Sequence, residues 1–299
     1  MSAIAPIALA LLLGPYVRTT VDPNDPNTHC LTWTHPQITF QQDTLGTEDT
    51  QGNGSEFLAF SKALATWNEA ATGCSSVHYS EGPRIVERKT GWVKGSPDNH
   101  NVVLYRRVGC TAAAPSNDPC WSDESCPNKY DCWDTKTRAA TLALTTTTFD
   151  LSTGHIYDTD IEANDVFFFF TTVDSPECVS TPSPSCISSD VQNTMTHELG
   201  HVLGLAHSPD TFSTMYATAN KGELIKRQID SYSKQFLCDA YPASGISRDC
   251  IALRPPRRLG PEDTATPMGC AAAPVSSAMV WLAAATLRAF GRRRARPLR

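Results

Sequence analysis

No two of the eleven cysteines stand at Cys-x-x-Cys spacing, so a zinc site of that kind is excluded. Positive charge is scarce through most of the chain. Residues 1–250 hold 16 basic against 29 acidic side chains, a net of −13. Such a body repels phosphate backbones, which excludes nucleic acid and favours a polypeptide or a bound cation as partner. There is no internal repeat and no second domain ahead of the C-terminal tail. Disorder is excluded by the 40% hydrophobic content over 299 residues, enough to build a core.

What the chain does have is cysteine in number. The first ten, at positions 30, 74, 110, 120, 126, 132, 178, 186, 238 and 250, form an even set that can make five disulfides, with Cys270 left over. Bridges on this scale persist in oxidising compartments and place the protein outside the cytoplasm. Sequence does not determine the pairing; Cys178 with Cys186 and Cys238 with Cys250 are the nearest local pairs.

Both ends carry signals. Residues 4–13 (IAPIALALLL) are too short to span a bilayer and match the core of a signal peptide within residues 1–20, although no Lys or Arg precedes them. A buried N-terminal strand is the alternative. After a Pro/Arg-rich linker, 251–269, comes a tail, 270–299, in which an uncharged stretch at 271–287 is followed by six arginines. By the positive-inside rule those arginines stay cytoplasmic.

Residues 30–41 read as a first strand bent by Pro36, and 56–71 as an amphipathic helix with Ser55 as its N-cap. Short strands are expected at 77–79, 85–87 and 102–106. The loop 109–133, with four cysteines and little periodicity, reads as a disulfide-stapled excursion. Further strands are expected at 141–149 and 156–173, the second containing the aromatic run Val166-Phe-Phe-Phe-Phe170, read as buried strand. Helices follow at 190–203 and 222–241. Strands first and helices after indicate α+β, with a mixed twisted sheet packed by helices.

Residues 196–208 read Thr-His-Glu-Leu-Gly-His-Val-Leu-Gly-Leu-Ala-His-Ser. His197 and His201 are four apart and share one helix face, where two imidazoles can hold one metal ion. Glu198 adjoins the first of them and can take a proton from a metal-activated water attacking a carbonyl carbon. Gly204 tolerates a left-handed backbone, so the chain can turn and present His207 as third ligand. With only eight histidines in the chain, a chance register on a solvated helix is a poor alternative.

His-Glu-x-x-His-x-x-Gly-x-x-His resembles the signature of the metzincin zinc peptidases, and Ser208 after the third histidine resembles the matrixin branch. Met215, in Ser213-Thr214-Met215-Tyr216, is similar in spacing to the structural Met-turn of that branch, which implies a hydrophobic base beneath the metal. The resemblance implies a metzincin-like zincin domain over 27–250, with an active-site helix and a C-terminal helix. Its activity would be that of a zinc metalloendopeptidase acting on protein or peptide, and the chain is expected to be monomeric. Met268-Gly269-Cys270, the apolar stretch and the arginines resemble the C-terminal sorting signals of myxobacterial surface proteins. That implies anchoring or processing at Cys270; an ordinary membrane helix is the alternative. The catalytic body would be secreted or held at the bacterial envelope.

The chain also departs from the pattern. Ala217, not proline, follows Tyr216. No cysteine-bearing pro-segment lies between residue 13 and Cys30, and no His-Gly-Asp metal segment is present. Asp158, Asp160, Glu162 and Asp165 crowd one strand region near the expected cleft edge; a solvated acidic strand is the first reading and a Ca2+ site the second. His155 reads as structural, and Tyr216 is not assigned as a ligand. Two rival functions remain: a zinc-stabilised surface adhesion protein without turnover, opposed by the intact Glu198, and a hydrolase of cell-wall amides.

Overall fold

In residues 55–71, Phe57, Phe60, Ala63, Leu64 and Trp67 recur every three or four positions and all are buried, the single apolar stripe of a core-facing helix. The computed structural model describes residues 16–250 and the backbone of a two-residue strand further on. In it this stripe forms α1 (Ser55–Ala71). The cap is Gly54 rather than Ser55: Gly54 sits at φ 74°, and Asn53 Oδ1 accepts the Ser55 N–H at 2.8 Å.

Helix α1 packs on a sheet of β1 (Gln37–Gln42), β2 (His78–Glu81), β3 (Asn101–Arg106), β4 (Ala143–Phe149) and β5 (Ile156–Asn164). The order is β2-β1-β3-β5-β4, parallel except for β4, which runs antiparallel to β5. A short strand, Leu287–Arg288, pairs with Thr147 and Thr148 of β4. The sheet is thus mixed, as expected. Two expected strands shrink. Pro36 delays the first to Gln37, and Ile85 makes only a single bridge, with Asp43.

Side chains alternate across a strand. On β5, Ile161 and Ala163 enter the main core with α1, which sends Asp158, Asp160 and Glu162 to the opposite face. The acidic row therefore does not line the cleft. There Asp160 accepts from the Val102 N–H at 3.0 Å, and Glu162 from Arg106 Nε at 2.7 Å. Asp165 accepts from Thr47 at 2.9 Å. Asp160, Glu162 and Asp165 thus each have a partner of their own, while the buried Asp158 lies against Asp160. Among the described residues, the side chains that converge as metal ligands are His197, His201 and His207, and a group of Cys30, Cys250 and Asp249 whose cysteines are bonded to each other.

The excursion after β3 holds α2 (Cys110–Ala113) and α3 (Cys126–Tyr130). Its core is small: four cysteines and Ala114. The bridges Cys110–Cys132 and Cys120–Cys126 close it. Arg106, fully buried, ties it to the sheet by donating to Asp131 at 2.6 Å as well as to Glu162.

The aromatic run is not a buried strand. Pairing stops at Asn164, Phe167 is 55% exposed, and only β6 (Phe170–Thr171) resumes, beside β7 (Ser189–Asp190). Helix α4 (Val191–Val202) follows. The long helix expected at 222–241 is split into a single turn at Ile225–Arg227 and α5 (Ser231–Ala240), because Asp230 caps a new start by accepting from the Tyr232 and Ser233 N–H groups.

All ten described cysteines are paired, Cys178–Cys186 as expected. The pair Cys238–Cys250 is not formed: Cys238 joins Cys74 and Cys250 joins Cys30, partners 164 and 220 residues away. Residues 16–20 of the expected leader are built into the body, while residues 1–15 lie outside the described residues. So do the linker, Cys270 and the tail, apart from the strand at 287–288. Among the described residues no helix is long and apolar enough to cross a membrane.

Candidate metal centre and cleft

Helix α4 is buried almost throughout, so its terminal backbone groups need partners inside the protein. At its start Asp190 accepts the Asn193 N–H at 2.7 Å, and Arg227 donates to the Asp190 carboxylate from Nε at 2.8 Å. At its end every carbonyl of the last turn is satisfied. Tyr79 OH donates to Leu199 O at 2.7 Å and Trp33 Nε1 to Val202 O at 2.8 Å. The Leu203 and Gly204 N–H groups serve Gly200 and His201. Aromatic residues with a polar tip suit this task, filling the core while capping the helix.

Gly204 then turns the chain at φ 91°, and a Cβ there would lie 2.5 Å from Leu31 O. Both facts require glycine. Residues beyond the turn are held by an isolated antiparallel bridge, Arg18 with Leu205, that the sequence did not reveal: Thr19 N donates to Gly204 O at 2.8 Å and Ala206 N to Val17 O at 2.9 Å.

This places three imidazoles together. His201 Nε2 lies 3.2 Å from both His197 Nε2 and His207 Nε2. His197 Nδ1 is 2.7 Å from Thr214 O and His201 Nδ1 is 2.8 Å from Leu205 O. A carbonyl only accepts, so each Nδ1 carries the proton and each Nε2 presents a lone pair. Converging lone pairs repel unless a cation lies between them. Zinc bonded to nitrogen at about 2.0–2.1 Å in tetrahedral geometry separates its ligands by roughly 3.3–3.4 Å, close to what is found. The residues fit the metal. Burial, reinforced by the neighbouring histidines, holds His197 well below the usual histidine range and His201 down at about 3. Burial, then Lys226, lowers His207. All three are thus neutral at neutral pH, the state a metal ion would require of them.

Met215 is buried under the helix. A Cβ on Gly200 would come within 2.2 Å of its sulfur, so the glycine between the first two histidines makes room for the methionine. The turn carrying Met215 is fixed by Asp230, whose Oδ2 accepts from Thr214 N at 2.9 Å and Ser213 Oγ at 3.0 Å. Sequence reading missed Asp230, although an acid just before a helical run is a start signal.

Glu198 is buried beside the histidines. Its Oε2 accepts from Thr145 Oγ1 of β4 at 2.6 Å. Burial pushes its carboxyl up to about 7, against the lowering pull of Thr145. Next to it opens a cavity of about 380 Å³, walled by Leu142, Phe168 and Ala217 and reaching Asn193 and Lys226, within the size range of ligand pockets. Tyr216 lines this cavity. Lys226, 3% exposed, donates to Thr218 O at 2.7 Å and pairs with Glu223. His155, on the surface beside Thr32, takes no part in the centre.

Residues 131–234 match the family model described as Matrixin. No curated protein matches the chain. The matched stretch contains β4, β5, the cavity walls, all three histidines and the Met215 turn. Over this stretch the chain is similar to the matrixins, and the match supports the metallopeptidase chemistry with zinc to which the three-histidine geometry points.

Proposed function

We propose that the protein is a secreted zinc-dependent endopeptidase. The observation that carries this reading is the set of three converging Nε2 atoms with a buried carboxylate beside them at the mouth of a cleft. His197, His201 and His207 would hold the ion, whose Lewis acidity polarises a carbonyl and makes water acidic near neutral pH. Glu198 takes the proton of the attacking water and delivers it to the leaving amine. Its elevated pKa suits both halves of that exchange. Among the described residues no strand pairs with the outer edge of β4 ahead of Thr147, and an extended peptide would lie along this edge, its side chain entering the cavity. Five disulfides support a location outside the cytoplasm. Anchoring through the tail at Cys270 rests on the sequence alone.

The test is cleavage of unfolded casein by the purified protein and by Glu198→Ala, with zinc measured in both. The expected result is one zinc per chain in each and a loss of at least about 1000-fold in the variant. Zinc in both and cleavage in neither would favour the adhesion or cell-wall reading; no zinc in either would refute the centre itself.

A further inference from the structure

Thr145 lies on β4 opposite Ile161 and is 2% exposed. Its Oγ1 is 2.6 Å from Glu198 Oε2 and 3.3 Å from the Glu198 main-chain carbonyl. A hydroxyl has one proton to give, and the nearer, charged oxygen is the stronger acceptor, so the bond goes to Oε2. Among the described residues no other side chain bonds this carboxylate. The Thr145 main-chain N–H also bears on this carboxylate, so one residue of β4 holds it.

A glutamate has three side-chain torsions, and helix α4 fixes only the first atoms of the chain. The strand fixes its far end. A β-branched residue on a strand has a restricted χ1, which makes Thr145 a stiff holder for the oxygen it touches. Because β4 is also the strand whose outer edge, among the described residues, is unpaired ahead of Thr147, docking of a peptide and alignment of the base converge on one strand.

We infer that Thr145 is a positioning residue for Glu198: its hydroxyl holds Oε2 on the strand side and so orients the carboxylate for the reacting water. The inference rests on the peptidase reading for its kinetic consequence, but not for its structural one.

The experiment compares Thr145→Val, which keeps the shape and removes the hydroxyl, with Thr145→Ser, which keeps the hydroxyl, in zinc-loaded protein. With zinc content unchanged, kcat should fall about 30-fold in the Val variant while KM stays within about twofold, and Ser should restore kcat to within about threefold. A second readout needs no turnover: calorimetric affinity for acetohydroxamic acid, a chelator whose hydroxyl proton passes to a neighbouring carboxylate. T145V should weaken it about tenfold in the native background and leave it unchanged beside E198A. Equal weakening in both backgrounds would mean a structural role only and overturn the assignment, as would native kcat in T145V or equal damage in T145S. If T145V does not fold, Thr145→Ala replaces it in the same comparison. A protein that cleaves nothing yet shows the hydroxamate coupling would refute the peptidase reading and leave Thr145 in its role.

Discussion

The half of the molecule that carries the three histidines and the excursion after β3 are built by opposite means. Residues 191–237 contain no cysteine; their geometry comes from a continuous core, capped carbonyls and the bonds of Asp190 and Asp230. The excursion has a cluster of only five buried residues and two disulfides. A disulfide fixes which segments stay together, whereas packing and hydrogen bonds fix where individual atoms lie. A site that must bring three nitrogens within 3.2 Å contacts needs the second kind of restraint, and a surface loop can manage with the first.

This contrast can be broken or sharpened experimentally. The largest effect should come from chelation, which is expected to reduce peptide cleavage by at least about 1000-fold while proteolytic resistance of the 110–132 loop stays unchanged. Cleavage surviving full zinc removal would end the comparison. Gly204→Ala should come next, costing about 3 kcal/mol from the positive φ and the clash with Leu31 O. Denaturant melts would show it, together with weaker zinc binding by competition titration. Replacing Cys110 and Cys132 together by serine opens a 22-residue separation and should cost about 2–3 kcal/mol, yet leave zinc affinity within about twofold; a tenfold loss would show that the two regions are coupled.

The smallest expected effect concerns Asp165. Burial, with Asp49 next to it, pushes its carboxyl up to about 7, above the value of about 3.9 in an unfolded chain. The folded form therefore retains a proton that the unfolded form has released. Its contribution to stability is full below about pH 4 and is lost as pH rises through about 7. Asp165→Asn should be neutral at pH 4 and gain about 1 kcal/mol at pH 8, read from thermal melts at the two pH values. An equal change at both would refute this origin.

The histidine cluster was legible in the sequence because it is local: three histidines, Glu198 and Gly204 fall within eleven residues, and helical spacing alone brings two of the histidines together. Met215 was legible for the same reason. What escaped was whatever the site borrows from a distance. Thr145 lies 53 residues from Glu198, and nothing in the run Thr145-Thr146-Thr147-Thr148 marks which hydroxyl reaches it. Residues 17–19 sit in a stretch read as leader, yet they pair beside His201 and His207. The phenylalanine run was misread because an apolar run looks alike in a buried strand and in the wall of a cleft. The last helix was drawn too long because apolar spacing continued across Asp230, whose capping bonds restart it.

The bridge between Cys30 and Cys250 bears on how force would travel through the molecule. It holds the Cα atoms of those residues 5.4 Å apart, and Arg18 donates to Arg248 O close by. Tension on the chain beyond Cys250 would enter the body at Cys30 through a covalent bond, bypassing α5 and the Met215 turn. Until that bond is reduced, a body pulled by its C-terminal end would bear the load at Cys30, ahead of β1, with the helix and turn beside the three histidines left mechanically slack.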